Sequence, residues 1–91
     1  MSRVAVMSII VEAREAAEPL NSILSEYGEY IIGRMGVPYK EKGISIISVA
    51  LDAPQDSISA LSGKIGKLRG VSVKTAYSSV ITDDKINRKI I

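Results

Sequence analysis

Apolar residues follow one another closely near the start of the chain. Residues 3–11 are rich in valine and isoleucine, and this length and β-branching predict a strand. Both alternating sets of the run are apolar, with Val4, Val6 and Ile10 in one set and Ala5, Met7, Ile9 and Val11 in the other. Such a double pattern is typical of a strand that is covered on both faces.

Two later segments place apolar residues at helical spacing. The first should begin near Ala17 and end at Gly28, with Leu20, Ile23, Leu24 and Tyr27 on one face. The second opens around Pro54 and Asp56 and should end at Gly70. Its apolar face consists of Ile58, Leu61, Ile65 and Leu68. The pattern therefore predicts two amphipathic helices.

Three more strands complete the pattern, at residues 30–37, 44–51 and 71–77, with a polar turn at residues 38–43. The strand at residues 44–51 sets Ile47, Val49 and Leu51 against Ile44, Ile46, Ser48 and Ala50. The resulting order, β-α-β-β-α-β, predicts an α+β fold of the ferredoxin-like kind. In this sandwich both helices cover one face of a four-stranded antiparallel sheet.

The uncovered face of such a sheet should alternate with polar residues if it meets water. Here the alternation is blurred in the first and third strands, which are the two central strands of this topology. A large apolar surface of this kind is usually an interaction surface. We therefore expect the chain to form a homodimer or homotetramer through its open face or an edge strand. The competing interpretation is that Ser8, Ser48, Ser72 and Lys74 keep this face adequately wet.

Composition narrows the chemistry that the chain can perform. Cysteine and histidine are both absent, which excludes disulfides, thiolate or imidazole metal ligands, a cysteine nucleophile and a histidine base. We expect no cofactor and no metal. The 12 basic and 10 acidic residues are interspersed and leave a net charge of +2. Because nucleic-acid binding needs a clustered basic footprint, we expect no autonomous nucleic-acid binding.

The 91 residues are enough for one domain. We expect that domain at residues 1–79, followed by a tail of mixed charge at residues 80–91. The N-terminus lacks the apolar core of a signal peptide, and no apolar stretch approaches the length that spans a membrane. The expected location is the cytoplasm.

Four segments resemble those of a known family, the iron-only hydrogenase system regulators. They are residues 30–39 (YIIGRMGVPY), 43–48 (GISIIS), 59–66 (SALSGKIG) and 70–74 (GVSVK). The resemblance extends over residues 3–78 and implies an ACT-like domain, similar to the C-terminal domain of nickel-responsive repressors. It also implies a regulatory role beside the hydrogenase machinery.

Two features of the nickel repressors have no counterpart in this sequence. Those proteins bind nickel through histidine and cysteine, and both residue types are absent here. They also carry an N-terminal ribbon-helix-helix segment, whereas the first strand here begins at Arg3. Nickel sensing and operator binding are therefore not expected to carry over.

The segment at residues 33–39 is the most distinctive candidate site. Gly33 and Gly36 would let a ligand or partner backbone approach, Arg34 would bind a carboxylate or phosphate, and Tyr39 would supply a wall and a hydroxyl. The alternative is structural: the glycines shape a bulge in an edge strand, and Arg34 is a solvated charge.

Two weaker candidates are the loop at residues 12–16 and the middle of the second helix. The resemblance to ACT-like domains implies that a small effector could bind at the loop, with Arg14 beside it; a solvated turn is the alternative. In the helix, Gly63 leaves bare backbone that another subunit or a small molecule could approach, with Lys64 nearby. Local softening or close helix packing would explain Gly63 and Gly66 equally well.

Catalysis is the least favoured function. Acylphosphatases share this topology and resemble one another in a glycine-rich loop after the first strand, but here that loop reads Glu-Ala-Arg-Glu. RNA-binding domains of this topology display stacked aromatics, and this chain has neither phenylalanine nor tryptophan. We expect a non-catalytic regulatory domain that binds a small effector at a subunit interface. The alternatives are a ligand-free scaffolding module and, less favoured, an acylphosphatase-like enzyme.

Overall fold

The computed structural model describes residues 2–82 of the chain. Its main elements follow the predicted order. They are β1 (Ser2–Val11), α1 (Ala17–Glu26), β2 (Ile31–Tyr39), β3 (Ile44–Ala53), α2 (Gln55–Gly66) and β4 (Val71–Thr82). Three single turns of 3-10 helix, Arg14–Ala16, Gly28–Tyr30 and Lys40–Lys42, lie in the connections.

The four strands form one antiparallel sheet in the order β2-β3-β1-β4. The first and third strands are therefore central, as the pattern predicted, and β2 and β4 are the edges. The α+β fold of the ferredoxin-like kind is confirmed.

Both helices pack on the same face of the sheet, where alternate residues of the central strands are buried. Ile9 is 0% exposed in β1, and Val49 is 0% exposed in β3. The helices add Leu20 and Leu24 from α1 and Ile58, Leu61 and Ile65 from α2. The core is thus aliphatic, and in each central strand one of the two alternating sets faces it: the set with Met7 and Ile9 in β1 and the set with Val49 and Leu51 in β3.

Strand ends differ from the prediction. The turn predicted from Pro38 begins later, because Pro38 pairs with Ser45 and Tyr39 pairs with Ile44. Proline is tolerated here because β2 is an edge strand and needs no N–H bond on its outer side. The third strand continues two residues past Leu51 to Ala53.

The fourth strand continues to Thr82, beyond the predicted end at Tyr77. After a register shift opposite residues 3–5 of β1, it pairs Ile81 with Arg3 and Thr82 with Ser2. The last residues of β4 thus use the ladder that the first residues of β1 offer. The remainder of the predicted tail, residues 83–91, lies outside the described residues.

The second helix ends earlier than predicted, at Gly66, with Lys67 as its C-terminal cap. Gly70 instead forms the tight turn into β4 with a φ of 78°. Neither helix within residues 2–82 is long and apolar enough to cross a membrane.

Candidate functional site

A crevice of about 450 Å³ opens at one end of the helix-covered face. The β1–α1 connection forms one wall through Ala13, Arg14 and Ala17. The β2–β3 turn forms the opposite wall through Lys40 and Gly43. Its volume lies within the range of small-molecule sites, which is about 300–1,000 Å³.

The floor of the crevice is one row of residues across three strands. Ser45 of β3 pairs with Val11 of β1 on one side and with Pro38 of β2 on the other. All three residues line the crevice. Because directly paired residues point to the same face, this row belongs to the face that carries the helices. None of the three side chains is long, which leaves space between the walls.

Two cations line the crevice, and no acidic side chain within residues 2–82 does. Arg14 lies in the 3-10 turn before α1, and Lys40 begins the 3-10 turn between β2 and β3. Both are exposed, and neither makes a hydrogen bond or ion pair inside the described part of the chain. The crevice therefore presents positive charge beside apolar walls.

The Arg14 wall is fixed in place through Gly70. The amide of Glu12 donates a hydrogen bond to the carbonyl oxygen of Gly70 at 2.7 Å. A Cβ atom on Gly70 would lie 2.5 Å from the Cβ of Ala13, which is closer than real Cβ atoms approach. Glycine at position 70 thus allows both the positive φ and the close contact that hold the loop.

The predicted site at residues 33–39 does not form one cluster. Gly33 follows a register shift between residues 31 and 33, so the structural alternative of a bulge holds there. Gly36 stays in regular pairing opposite Ile47. Tyr39 pairs with Ile44 and is 40% exposed. Tyr39 lies between Pro38 and Lys40 in the chain but does not itself line the crevice.

The other predicted cations have partners within the chain. Nη2 of Arg34 donates to Oδ1 of Asn21 in α1 at 3.1 Å. Nζ of Lys64 lies 3.8 Å from Oε1 of Glu26 and 5.2 Å from the ring centre of Tyr27. Gly63 has open space where a side chain would extend. Of the seven predicted residues, the crevice contains Arg14 alone.

Sequence reasoning selected neither Lys40 nor Ser45, and it assigned no role to Pro38, although Pro38 lies inside the candidate segment at residues 33–39. Lys40 belonged to a segment interpreted as a polar turn, and Ser45 was one residue of a predicted strand. Their placement depends on the register of β3 with both of its neighbours. A strand pairing that set Val11 opposite Ser45 would have identified the floor.

The open face of the sheet is the second candidate site, and it is apolar. Val37, Ile46 and Ile10 form a row across β2, β3 and β1. Their exposed fractions are 48%, 42% and 38%. Met35, Tyr39 and Val6 lie on the same face and are also exposed. We call these six residues the open-face band.

Polar residues continue the open face on the β4 side. Ser72 pairs with Ile10, and Lys74 pairs with Ser8. The four predicted polar residues are thus on this face. Ser48 pairs with Met35, and Ser8 lies between Val6 and Ile10, so these two serines interrupt the open-face band. Ser72 borders the band, and Lys74 lies beyond Ser8 on β4. Within residues 2–82, no group of three or more acidic side chains could hold a metal ion.

Comparison with known proteins identifies a family and a fold. The model of the TM1266-like family, described as an iron-only hydrogenase system regulator, matches residues 3–75. The structure of the uncharacterized protein TM1266 from Thermotoga maritima is 36% identical, with a TM-score of 0.82. The similarity covers 85% of this chain and 98% of the Thermotoga chain. No curated protein matches the chain.

A more distant structure shares the fold alone. It is a formyltetrahydrofolate deformylase from Pseudomonas putida KT2440, which is 13% identical with a TM-score of 0.59. The similarity covers 79% of this chain but only 28% of the deformylase chain. The shared part is therefore one domain of a longer enzyme.

Proposed function

Because the chain belongs to the TM1266-like family of iron-only hydrogenase system regulators, we propose that it is a non-catalytic regulatory domain that works as a homodimer or homotetramer. The observation that supports this proposal most is the exposed apolar surface of the open-face band. In this proposal two copies pack their open faces together, and the assembled form acts in the cytoplasm on the expression or maturation of hydrogenase.

The chemistry of the open-face band supports a second copy as its occupant. A self-complementary contact around a twofold axis brings the same surface patch from each copy together. An aliphatic row with no charge at its centre suits this arrangement, since no like charges meet across the axis. Lys74, by contrast, lies toward the β4 edge of the face. There it would meet water at the rim of the contact.

The size of the face also supports a stable dimer. Four strands of about ten residues form a surface of roughly 19 Å by 30 Å, or close to 600 Å² before side-chain relief is counted. A standard interface buries about 800 Å² of accessible surface per partner. The open face is therefore at the lower end of the size range of stable interfaces when all four strands take part. A tetramer would require an additional contact, for which the edge strands β2 and β4 are available.

Catalysis has less support. The loop after β1 contains no glycine and is not a phosphate-binding loop of the acylphosphatase type. Arg34, the cation that the predicted site depended on, bonds to Asn21. The acylphosphatase-like alternative would require a phosphate-binding site elsewhere in the chain. A scaffolding module without a ligand remains the competing proposal, and ligand binding at the crevice distinguishes the two.

Sedimentation velocity across the micromolar range tests the assembly. We expect a mass at least twice the 9.8 kDa of one chain. The substitution Ile46→Lys introduces a charge at the centre of the open-face band. In a twofold-symmetric dimer each copy contributes one such charge to the interface. We expect it to raise the dissociation constant at least about a hundredfold, since burying unpaired charge costs several kcal/mol.

Ser25→Lys is the control, because Ser25 is exposed on α1, on the opposite side of the sheet from the open-face band. It should leave the sedimentation profile close to that of the unmodified chain. A single 9.8 kDa species for the unmodified protein at the highest concentration would refute the proposal.

A further inference from the structure

The crevice at the end of the helix-covered face has the features of a built ligand site. Its floor and both walls come from one chain, so the site does not depend on a second copy for its residues. One wall is fixed by the 2.7 Å hydrogen bond from Glu12 to Gly70. A cavity that is held open by the backbone is available to a ligand without rearrangement.

We propose that this crevice binds a small organic acid with a short aliphatic body. Arg14 would bind the carboxylate, because a guanidinium offers two parallel N–H donors that match its two oxygens. Lys40, on the opposite wall, would attract a second anionic group or neutralise the first. Val11, Ala13 and Pro38 would contact the carbon chain.

The placement of two cations in one cavity carries the inference. Arg3, Arg34 and Lys64 each have a partner: Arg3 donates to Gln55, Arg34 to Asn21, and Lys64 lies against Glu26. Arg14 and Lys40 have none among residues 2–82, which is also true of Lys42 and Lys67, but Arg14 and Lys40 line one cavity. Two unpaired cations that line one cavity create a local positive potential, which favours an anion.

The apolar lining of the crevice favours an organic anion over an inorganic one. Inorganic phosphate would satisfy the two cations but would leave the valine, alanine and proline walls against water or against charge. A carboxylate with an aliphatic body satisfies both parts. The chemical class is therefore an organic acid, and the free inorganic anion becomes a competing outcome of the test.

This inference rests on the proposed function in one respect: if the chain is a regulatory domain, the bound acid is its effector. The binding itself does not require self-association. Sedimentation of the same samples keeps the two proposals separate. A chain that binds the acid but remains a monomer refutes the assembly alone, and a dimer that binds no acid refutes this inference alone.

Titration of the isotope-labelled full chain, followed through its amide resonances, tests the inference. The probes are glutarate, 3-methylbutanoate, glutaramide as the uncharged counterpart of glutarate, and inorganic phosphate. We expect saturable shifts with at least one of the two acids, centred on Ala13, Gly43 and Ser45, and no saturable shift with glutaramide. Equal shifts from glutaramide, or saturation with phosphate alone, would overturn the proposal.

Two substitutions locate the bound acid. Arg14→Gln and Lys40→Gln should each weaken binding about tenfold or more, because a hydrogen bond to a charged group contributes roughly that much. Lys42→Gln is the matched control, since Lys42 lies in the same turn as Lys40 but does not line the crevice. All three side chains are exposed, so folding should be unaffected. Unchanged affinity in both crevice variants would refute the assignment.

Discussion

The two faces of the sheet are made from neighbouring residues of the same strands, yet their surroundings differ completely. Ile9 is 0% exposed beneath the helices, and Ile10, the next residue of β1, is 38% exposed on the open face. In β3, Ile47 is 9% exposed and Ile46 is 42% exposed. The same residue type thus serves in a core and on a bare surface.

This difference teaches that the fold explains only half of the aliphatic residues in the sheet. On the covered face, burial against α1 and α2 is reason enough for isoleucine. On the open face, a solvated antiparallel sheet would do as well with threonine, serine or lysine. The outer surface of the helices shows what this chain places against water, since Glu26 and Lys64 lie there. The open-face band departs from that composition.

The largest expected effect comes from truncating the two isoleucines of β1 separately. Ile9→Ala should lower the free energy of unfolding by about 2–5 kcal/mol, because it removes methyl groups from a packed core and leaves a cavity. In an isolated chain Ile10→Ala should cost less than about 1.5 kcal/mol, since that side chain is only partly buried. Urea denaturation measures both losses.

Measuring both isoleucine variants at several protein concentrations distinguishes the two faces further. If copies shelter the open face, the cost of Ile10→Ala should grow as the protein concentration rises into the range where the chain associates. The cost of Ile9→Ala should exceed it at low concentration. Equal losses for the two variants in dilute solution would show that the faces do not differ in the isolated chain.

The next effect concerns the loop that closes the covered face at the crevice. Gly70→Ala should cost about 2–4 kcal/mol, the sum of a left-handed backbone and an overpacked contact with Ala13. Gly43→Ala is the matched control: its φ is 67°, but no atom lies within 4 Å of the added Cβ. It should cost only about 1 kcal/mol, from the backbone alone.

Thermal unfolding of the two glycine variants measures this difference. Neither glycine belongs to the open-face band, so neither substitution should alter the sedimentation of the folded protein. Similar losses for both would show that the close approach of Gly70 to Ala13 contributes nothing to stability. The Arg14 wall would then be held by the hydrogen bond of Glu12 alone.

The two faces could be predicted from the sequence because strand alternation is a local property. Ala5, Met7 and Ile9 occupy every second position of one run, and this spacing alone sends them to one side. The helices were predictable for the same reason. The start of α1 at Ala17 agreed with the prediction, since Pro19 restricts where a regular helix can begin.

Element ends and the crevice could not be predicted, because both depend on pairing between distant segments. Proline usually signals a turn, but Pro38 remains in β2 because the edge of the sheet tolerates it. Thr82 belongs to β4 because Ser2 is there to pair with it. The crevice needs Val11, Ser45 and Pro38 in one row, and no local pattern reveals that register.

The candidate site residues show the same difference between what local sequence indicates and what depends on distant segments. Arg14 was selected from a family resemblance, and the crevice contains it. Arg34 and Lys64 were selected as cations near glycines, and each has a partner on a helix that local sequence could not indicate. Lys40 was overlooked because a lysine in a polar turn is usually a solvated charge.

The smallest expected effect tests whether the outer surface of the helices is an ordinary solvated surface, with which the open-face band can be compared. Lys64→Gln removes the 3.8 Å ion pair with Glu26 and the contact with the Tyr27 ring. Both side chains of the ion pair are about half exposed, so the loss should stay below about 1 kcal/mol. Lys67→Gln, near the same end of α2, removes a charge for which the described residues supply no ion pair.

Urea denaturation at low salt and at about 1 M salt separates the two lysine variants. The ion-pair part of the Lys64 effect should shrink at high salt, where the screening length is only about 3 Å. The control should show little difference at either salt concentration. A loss of about 2 kcal/mol or more for Lys64→Gln would mean that this surface contributes strongly to the fold. The contrast between the open-face band and an ordinary solvated surface would then have to be drawn from β4 instead, where Ser72 and Lys74 face water.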